Sequence, residues 1–460
     1  MAATDTIMYS INPATGEEIG RYDAHTGAIL QDILSQATSA QKVWSQKSFE
    51  NRSRVFQRLA AVLRQQKGKL AQLITSEMGK PIRQAEAEID KCAWLCDFYA
   101  ENAEGYLKTE ERPSDASRSY VQFLPLGVIL AIMPWNYPFW QVLRFAVPAL
   151  MAGNGALLKH APNVTGCALE LEKLLHECDL EPGCFRTIIA SHDQIPALIE
   201  DPRVRGVTLT GSVRAGRAIA SQAGKSIKKT VLELGGSDPF IVLDDAPLDQ
   251  AVKTAVKARF QNSGQSCIAA KRLLISSKVF ADFRDRFVEE VKKLKVQDPL
   301  DPSTDVGPLA REDLREAIKR QVDSSLCRGA RALVGGAPLE GRGFFYQPTV
   351  LVNATEEMTV CREEVFGPVA TLIEVESERK AIEVANRTQF GLGSTIWTSD
   401  PERGERLSRE IEAGQVFING MVASDPRLPF GGIKESGYGR ELAGEGIREF
   451  VNIQTVWIGT

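Results

Sequence analysis

From Gly127 onward the chain repeats one pattern: a short apolar run, a turn, a helical stretch, then another apolar run. The first series runs through Gly127 to Met133, Gly155 to Leu158, Phe185 to Ile189 and Val204 to Leu209. A run apolar on both faces must be covered on both, and parallel strands need crossover helices to do so. The alternation therefore predicts an α/β fold with parallel sheets. A second series follows, with Phe240 to Leu243, Arg272 to Ile275, Tyr346 to Val352, Val369 to Val375, Ser394 to Trp397 and Gln415 to Ile418. At 460 residues the chain exceeds what one hydrophobic core organises, and two series imply two lobes. Upstream, Ile29, Ile33, Ala37, Ala40 and Trp44 recur at helical spacing, as do Val55, Leu59, Val62 and Leu63. A third helix is expected over roughly 84–99, and an extended segment at Tyr120 to Leu124. No fixed-period repeat or low-complexity linker separates the lobes, which are expected to pack closely.

Several function classes are disfavoured. The 55 basic and 59 acidic residues nearly balance, and no Lys/Arg run interleaved with aromatics is present to track a phosphate backbone, so no nucleic-acid partner is expected. Val128 to Met133 is the longest apolar stretch and stops at Pro134, which is too short to span a membrane. The start of the sequence shows neither a basic leader nor an apolar core behind it, and a cytoplasmic location is expected. Eight cysteines in so long a chain read as reduced thiols, and Cys92 and Cys96, four apart, as helix core. No metal site is expected, because no second Cys or His pair completes one. His25, His160, His176 and His192 each lack the context of a catalytic triad.

Four segments carry chemistry. Val204 to Gly216 reads as a strand, a turn at Gly211 and a helix N-terminus, where Gly211 and Ser212 could meet a phosphate. The spacing is not G-x-G-x-x-G, and a glycine at such a turn is more often purely conformational. In Leu232-Glu-Leu-Gly-Gly, an acid sits in an apolar segment before two glycines; burial would raise the Glu233 carboxyl toward the range of a general base. A salt-bridged structural Glu is the alternative. The polar loop from Gln261 delivers Cys267 just ahead of an apolar segment, a setting for a reactive thiol or for an inert core cysteine. Met133-Pro-Trp-Asn-Tyr-Pro breaks the end of a buried strand, where ligands of parallel sheets sit, and Asn136 there is either an oxyanion donor or a turn former.

Taken in order, these segments resemble the aldehyde dehydrogenase superfamily across essentially the whole chain. The resemblance rests on Pro134-Trp-Asn-Tyr-Pro, Thr210-Gly-Ser, Leu232-Glu-Leu-Gly-Gly, Gly264-Gln-Ser-Cys, Glu363-Glu-Val-Phe-Gly-Pro and Pro429-Phe-Gly-Gly-Ile-Lys-Glu-Ser-Gly-Tyr-Gly-Arg-Glu, and on the Glu233 to Cys267 spacing. It implies a Rossmann-type NAD(P)-binding lobe over 1–109 and 127–233, an α/β catalytic lobe over 234–441, and a small β oligomerisation arm over 110–126 and 442–460. Cys267 would be the nucleophile, Glu233 the base that activates water, and Asn136 with the Cys267 backbone N–H the oxyanion donors. Trp135, Lys159, Gly211, Ser212, Glu364 and Phe366 would line the cofactor cleft. A homodimer or homotetramer is implied.

One departure bears on the cofactor. Where NAD-preferring members carry Lys-Pro-x-Glu, this chain reads Lys159-His-Ala-Pro, and Pro162 can neither bind a ribose hydroxyl nor repel a 2′-phosphate. Either NAD or NADP is expected. The stretch Lys159 to Asn163, Cys267-Ile-Ala-Ala-Lys-Arg and the ending Asn452 to Trp457 are most similar to bacterial succinate-semialdehyde dehydrogenases. Arg144 and Ser424 stand where that group binds the substrate carboxylate, whereas Gln261 replaces a second Arg. The expected reaction is oxidation of succinic semialdehyde to succinate. The alternatives are another aliphatic aldehyde, an Arg144 tied into a structural ion pair, a cofactor-independent thiol esterase, and a catalytically idle homologue.

Overall fold

The computed structural model describes residues 7–459; Met1 to Thr6, which bear on the leader, and Thr460, the end of the arm, lie outside them. Two parallel sheets dominate. The first has six strands in the order Gly437–Tyr438, Lys229–Glu233, Val204–Thr210, Val128–Ile132, Gly155–Lys159, Phe185–Thr187. All its pairings are parallel except that of Gly437–Tyr438. The second has seven strands in the order Arg331–Val334, Thr349–Val352, Val369–Val375, Ala270–Ser276, Asp238–Val242, Gly393–Trp397, Gln415–Ile418, and only its first pairing is antiparallel.

Val128 to Leu130 and Gly155 to Leu158 are completely buried, as runs apolar on both faces require. The edge strand Arg331–Val334 escapes the sequence pattern because one side of it is open and its run is short. In the first sheet the chain moves outward from Val128–Ile132 through Gly155–Lys159 to Phe185–Thr187, then returns to lay Val204–Thr210 on the other side. The reversal opens a crevice at the carboxyl ends of the central strands.

Helix Gly27–Ser45 covers this sheet, its start capped by Thr26, whose hydroxyl accepts from the Ile29 N–H at 3.3 Å. Its buried stripe is Leu30, Ile33, Leu34, Ala37, Ala40, Gln41 and Trp44. Ile29, counted in the stripe by spacing alone, is exposed: it lies a residue too early, about 100° round the helix from Leu30. The helix expected near 84–99 spans Ile82–Leu107 and buries Ala85, Glu88, Ile89, Cys92, Cys96 and Tyr99 on one face, so Cys92 and Cys96 are core. Helix Trp140–Met151 is buried along its whole length.

The extended segment at Tyr120 lies in strand Arg118–Pro125, which pairs antiparallel with Val451–Ile458 and with Glu110–Glu111. Among the described residues no helix is long and apolar enough to cross a membrane.

Candidate active site

The loop Gln261–Gly264 precedes the thiol and is bent by three successive residues in the left-handed region: Asn262 (φ 53°), Ser263 (φ 54°) and Gly264 (φ 72°). Such a run needs outside support. The Asn262 side-chain amide donates to the carbonyls of Asn136 and Gln265, both at 2.9 Å, and the Ser263 hydroxyl donates to the Gly307 carbonyl at 3.0 Å. At Gly264 a Cβ would sit 2.3 Å from the Gly367 carbonyl oxygen, so only glycine fits. The next turn presents Cys267, half-buried, to a cavity of about 560 Å³. Burial pushes its thiol up to about 12, against the pull of the Lys271 and Arg144 cations. Lys271, fully buried, donates to the carbonyls of Ser266 at 2.9 Å and Cys267 at 2.6 Å and pairs with Glu364 at 3.1 Å.

Asn136 is held under this loop, its amide donating to the Gln265 carbonyl at 3.1 Å; a side-chain amide has a second N–H to give. Its own loop, between strand Val128–Ile132 and helix Trp140–Met151, is fastened from two sides. Glu88 accepts from the backbone N–H groups of Phe139 (2.9 Å) and Trp140 (3.0 Å) through one oxygen, and its other oxygen is ion-paired with Lys80. Lys80 in turn lies 3.7 Å from the centre of the Tyr137 ring. On the far side, His160 Nε2 donates to the Pro138 carbonyl at 2.9 Å while Nδ1 accepts from the Ala161 N–H at 2.9 Å, one neutral tautomer satisfying both. Burial brings the imidazole down to about 4, which keeps it neutral. The sequence gives no hint of the Lys80 and His160 roles. A carboxylate on a helix's apolar stripe, as Glu88 is, was the one available signal.

Arg144 and Ser424 line the same cavity as Cys267, and so does Gln261. Arg144 is ion-paired with Glu441, and its guanidinium lies 4.4 Å from the centre of the Phe430 ring. Glu233 and Asn136 do not line that cavity. Glu233 ends strand Lys229–Glu233, is 2% exposed, and neither of its carboxylate oxygens has a hydrogen-bond partner among the described residues. Burial first, then the neighbouring Glu441, hold its carboxyl well above the usual range, while Arg144 and Arg440 pull the other way. Glu441, also buried, is shifted upward by desolvation despite Arg144. The structure therefore joins Glu233, Glu441 and Arg144 in one buried charge cluster, of which Arg144 reaches the cavity wall. Sequence reasoning missed Glu441.

The remaining residues gather at the carboxyl edge of the six-stranded sheet. Lys159 ends its strand in register with Ile132, which leads to Trp135, and Leu209 on the other side of Ile132 leads to Gly211. Lys159 is 4% exposed, and burial lowers its ammonium pKa. Ser212 caps helix Val213–Lys225, accepting from the Ala215 N–H at 3.3 Å. The Trp135 and Phe366 rings meet edge to face with centroids 5.6 Å apart. Glu364 accepts from the Gly236 N–H at 3.1 Å, and a Cβ at Gly235 would strike the Glu364 carboxylate at 2.4 Å. Among the described residues no three His, Cys, Asp or Glu side chains are grouped to hold a metal ion.

The succinate-semialdehyde dehydrogenase [NADP(+)] of Mycobacterium avium is 49% identical over 457 residues, covering 98% of this chain and 96% of that protein. The succinate semialdehyde dehydrogenase [NAD(P)+] Sad of Escherichia coli K12 is 48% identical over 452 residues, with 98% of each chain covered. Among solved structures, the succinic semialdehyde dehydrogenase of Streptococcus pyogenes in complex with NADP+ superposes with a TM-score of 0.96 at 38% identity, over 98% of this chain and 100% of that one. The family model described as "Aldehyde dehydrogenase family" matches residues 1–456, and the chain belongs to the aldehyde dehydrogenase family.

Proposed function

We propose that this chain oxidises succinic semialdehyde to succinate with NAD(P)+ through a thioester on Cys267. The observation that carries the reading is one cavity holding the Cys267 thiol at its wall together with Ser424 and several cations. The names of the curated relatives at 48–49% identity point to the same substrate.

In this reading the Cys267 sulfur, once deprotonated, adds to the aldehyde carbon, and the carbonyl oxygen becomes an oxyanion. Asn136 donates to that oxyanion from its free N–H, with the Cys267 backbone N–H as second donor. A nicotinamide dinucleotide bound here would supply the hydride acceptor, and loss of hydride from the same carbon turns the adduct on Cys267 into a thioester. Glu233 is the proton acceptor, its carboxylate made more basic because burial and Glu441 hold its carboxyl above the usual range. It takes a proton from water, the hydroxyl adds to the thioester carbon, and carboxylate and thiol separate.

The residues present fit a nicotinamide dinucleotide. Lys159 is a buried cation with no ion-pair partner among the described residues, suited to a ribose hydroxyl or a 2′-phosphate. Gly211 and Ser212 stand at a helix N-terminus where phosphate is favoured. Trp135 and Phe366 pack in the same apolar cluster as Cys267, and Glu364 is close enough to act on its thiol. With Pro162 in place of an acid, and relatives named for NADP+ or NAD(P)+, both cofactors are within the reading.

The proposed lobes, 1–109 with 127–233 and 234–441, are supported by the two large sheets, which exchange only the short strand Gly437–Tyr438. The arm, 110–126 with 442–460, exposes 62% of Ile453 and 57% of Trp457, apolar surface suited to a second copy in a homodimer or homotetramer. Eight free thiols suit a reducing, cytoplasmic setting.

The test is the rate of NADH or NADPH formation with succinic semialdehyde and with butanal. A kcat/KM at least about tenfold higher for the semialdehyde is expected, since butanal leaves the carboxylate's partners unmatched. Ester hydrolysis without nicotinamide reduction on any aldehyde would overturn the reading.

A further inference from the structure

The cavity beside Cys267 is lined by six cations, and the two most deeply buried are already engaged. Lys80 is paired with Glu88, and Arg144 with Glu441, both pairs deeply buried. Arg83, Lys253 and Lys257 are exposed at the mouth. Gln261 is neutral. That leaves Lys91, on helix Ile82–Leu107, the sole cavity-lining cation that is drawn into the wall without a carboxylate within ion-pairing distance among the described residues.

The setting of Lys91 is built. Its ammonium donates to the Ser424 hydroxyl at 2.7 Å and lies 4.2 Å from the centre of the Trp140 ring. The two acids nearest to it are committed elsewhere. Glu88 serves Lys80 and the Phe139 and Trp140 N–H groups, and Asp425 accepts from Arg427 at 2.9 and 2.6 Å. An ammonium has three N–H donors, and the hydroxyl uses one. Desolvation, the main influence, together with the Arg144 charge brings this amine down to about 8, so an incoming anion relieves an unfavourable situation.

We propose that Lys91, with Ser424, holds the distal carboxylate of the aldehyde substrate. The proposal rests on the succinic-semialdehyde reading and deepens it. The carboxylate lies against the Lys91 ammonium and accepts a hydrogen bond from the Ser424 hydroxyl, with Trp140 packing behind the pair. Lys91 supplies the charge that Gln261 does not. Arg144, locked to Glu441, acts on the charge cluster around Glu233 and contributes to the substrate only at longer range. Lys91 is a specificity-determining residue, with no part in the bond changes at Cys267.

The experiment compares wild type with Lys91→Met and Lys91→Arg, using succinic semialdehyde and butanal. In Lys91→Met the ratio of kcat/KM for the two aldehydes is expected to fall about 10- to 100-fold, the loss carried by KM for the semialdehyde, as removal of a charge-assisted hydrogen bond implies. Lys91→Arg recovers part of the ratio. Independently, succinate should protect Cys267 from iodoacetamide in wild type, and the half-protecting concentration should rise about tenfold in Lys91→Met. An unchanged ratio, an equal loss on both aldehydes, or unchanged succinate protection overturns the role of Lys91. A wild type that oxidises butanal as well as succinic semialdehyde overturns the functional reading instead, and succinate protection then decides the fate of Lys91.

Discussion

The Lys271 ammonium donates to the Cys267 carbonyl oxygen at 2.6 Å from a side chain that solvent does not reach. Together with its bonds to Ser266 and Glu364, this makes one lysine the joint between the thiol loop and the loop that carries Glu364. The consequence for the thiol has a definite sign. Burial raises the Cys267 thiol to about 12, and Lys271 is the strongest influence pulling it back. Alkylation of Cys267 in the ligand-free protein should therefore keep rising with pH through 10, with no plateau near the ordinary thiol value of about 8.5. In Lys271→Met the rate at pH 8 should drop about tenfold further, one pKa unit's worth. A profile identical to wild type would remove Lys271 from the control of the thiol.

The left-handed run before Cys267 predicts a contrast between two glycines. Gly264→Ala places a methyl 2.3 Å from the Gly367 carbonyl oxygen, in addition to a positive φ of 72°. Gly341 has a φ of 112° with nothing within 4 Å of its would-be Cβ, so Gly341→Ala isolates the conformational cost alone. Thermal unfolding should show about 1 kcal/mol lost at Gly341 and at least about 3 kcal/mol at Gly264. Equal losses would mean that the thiol loop yields without resistance.

The large strands and the order of chemical segments were legible because their signals are local: a buried parallel strand is apolar on both faces, and glycine at a tight turn stands next to what it serves. Hence Val128–Ile132, Val204–Thr210 and Val369–Val375 lie where the runs place them. The neighbours of the reactive groups were not legible. Glu88 and Phe139 are 51 residues apart, and Lys91 and Ser424 are 333 apart. Glu441 reaches Arg144 across nearly 300 residues, so the ion pair could be named in advance only as one of two readings of Arg144. Spacing tells which helix face is buried; it does not tell which distant acid shares the burial.

Glu233 should be held at a cost to stability. Both its oxygens are buried without hydrogen-bond partners among the described residues, and its carboxyl is held well above the usual range. Below about pH 4, under the ordinary carboxyl value, the group is neutral folded and unfolded alike, and Glu233→Gln should change stability little. As pH rises above that value the unfolded chain releases the proton more readily than the folded one, so wild-type stability falls relative to the variant. Glu233→Gln should therefore unfold at a higher temperature at pH 8, by about 1–3 kcal/mol of stability, while losing thioester hydrolysis. A variant less stable than wild type at pH 8 would show that Glu233 has an unrecognised partner.

Charge at the cavity mouth should be visible in the kinetics. Arg83, Lys253 and Lys257 are exposed around the opening, and none has an ion pair within 4 Å among the described residues. An anionic aldehyde approaching such a mouth is drawn in over distances set by the Debye length, about 8 Å at physiological salt and about 3 Å at 1 M. Raising the salt concentration tenfold from about 0.05 M should lower kcat/KM for succinic semialdehyde several-fold and leave butanal almost unaffected. Replacing Arg83 and Lys257 by Gln together should flatten the salt dependence while kcat at saturating substrate stays near wild type, because both side chains are solvent-exposed. Unchanged salt dependence in that double variant would place the attraction deeper in the wall, with Lys91.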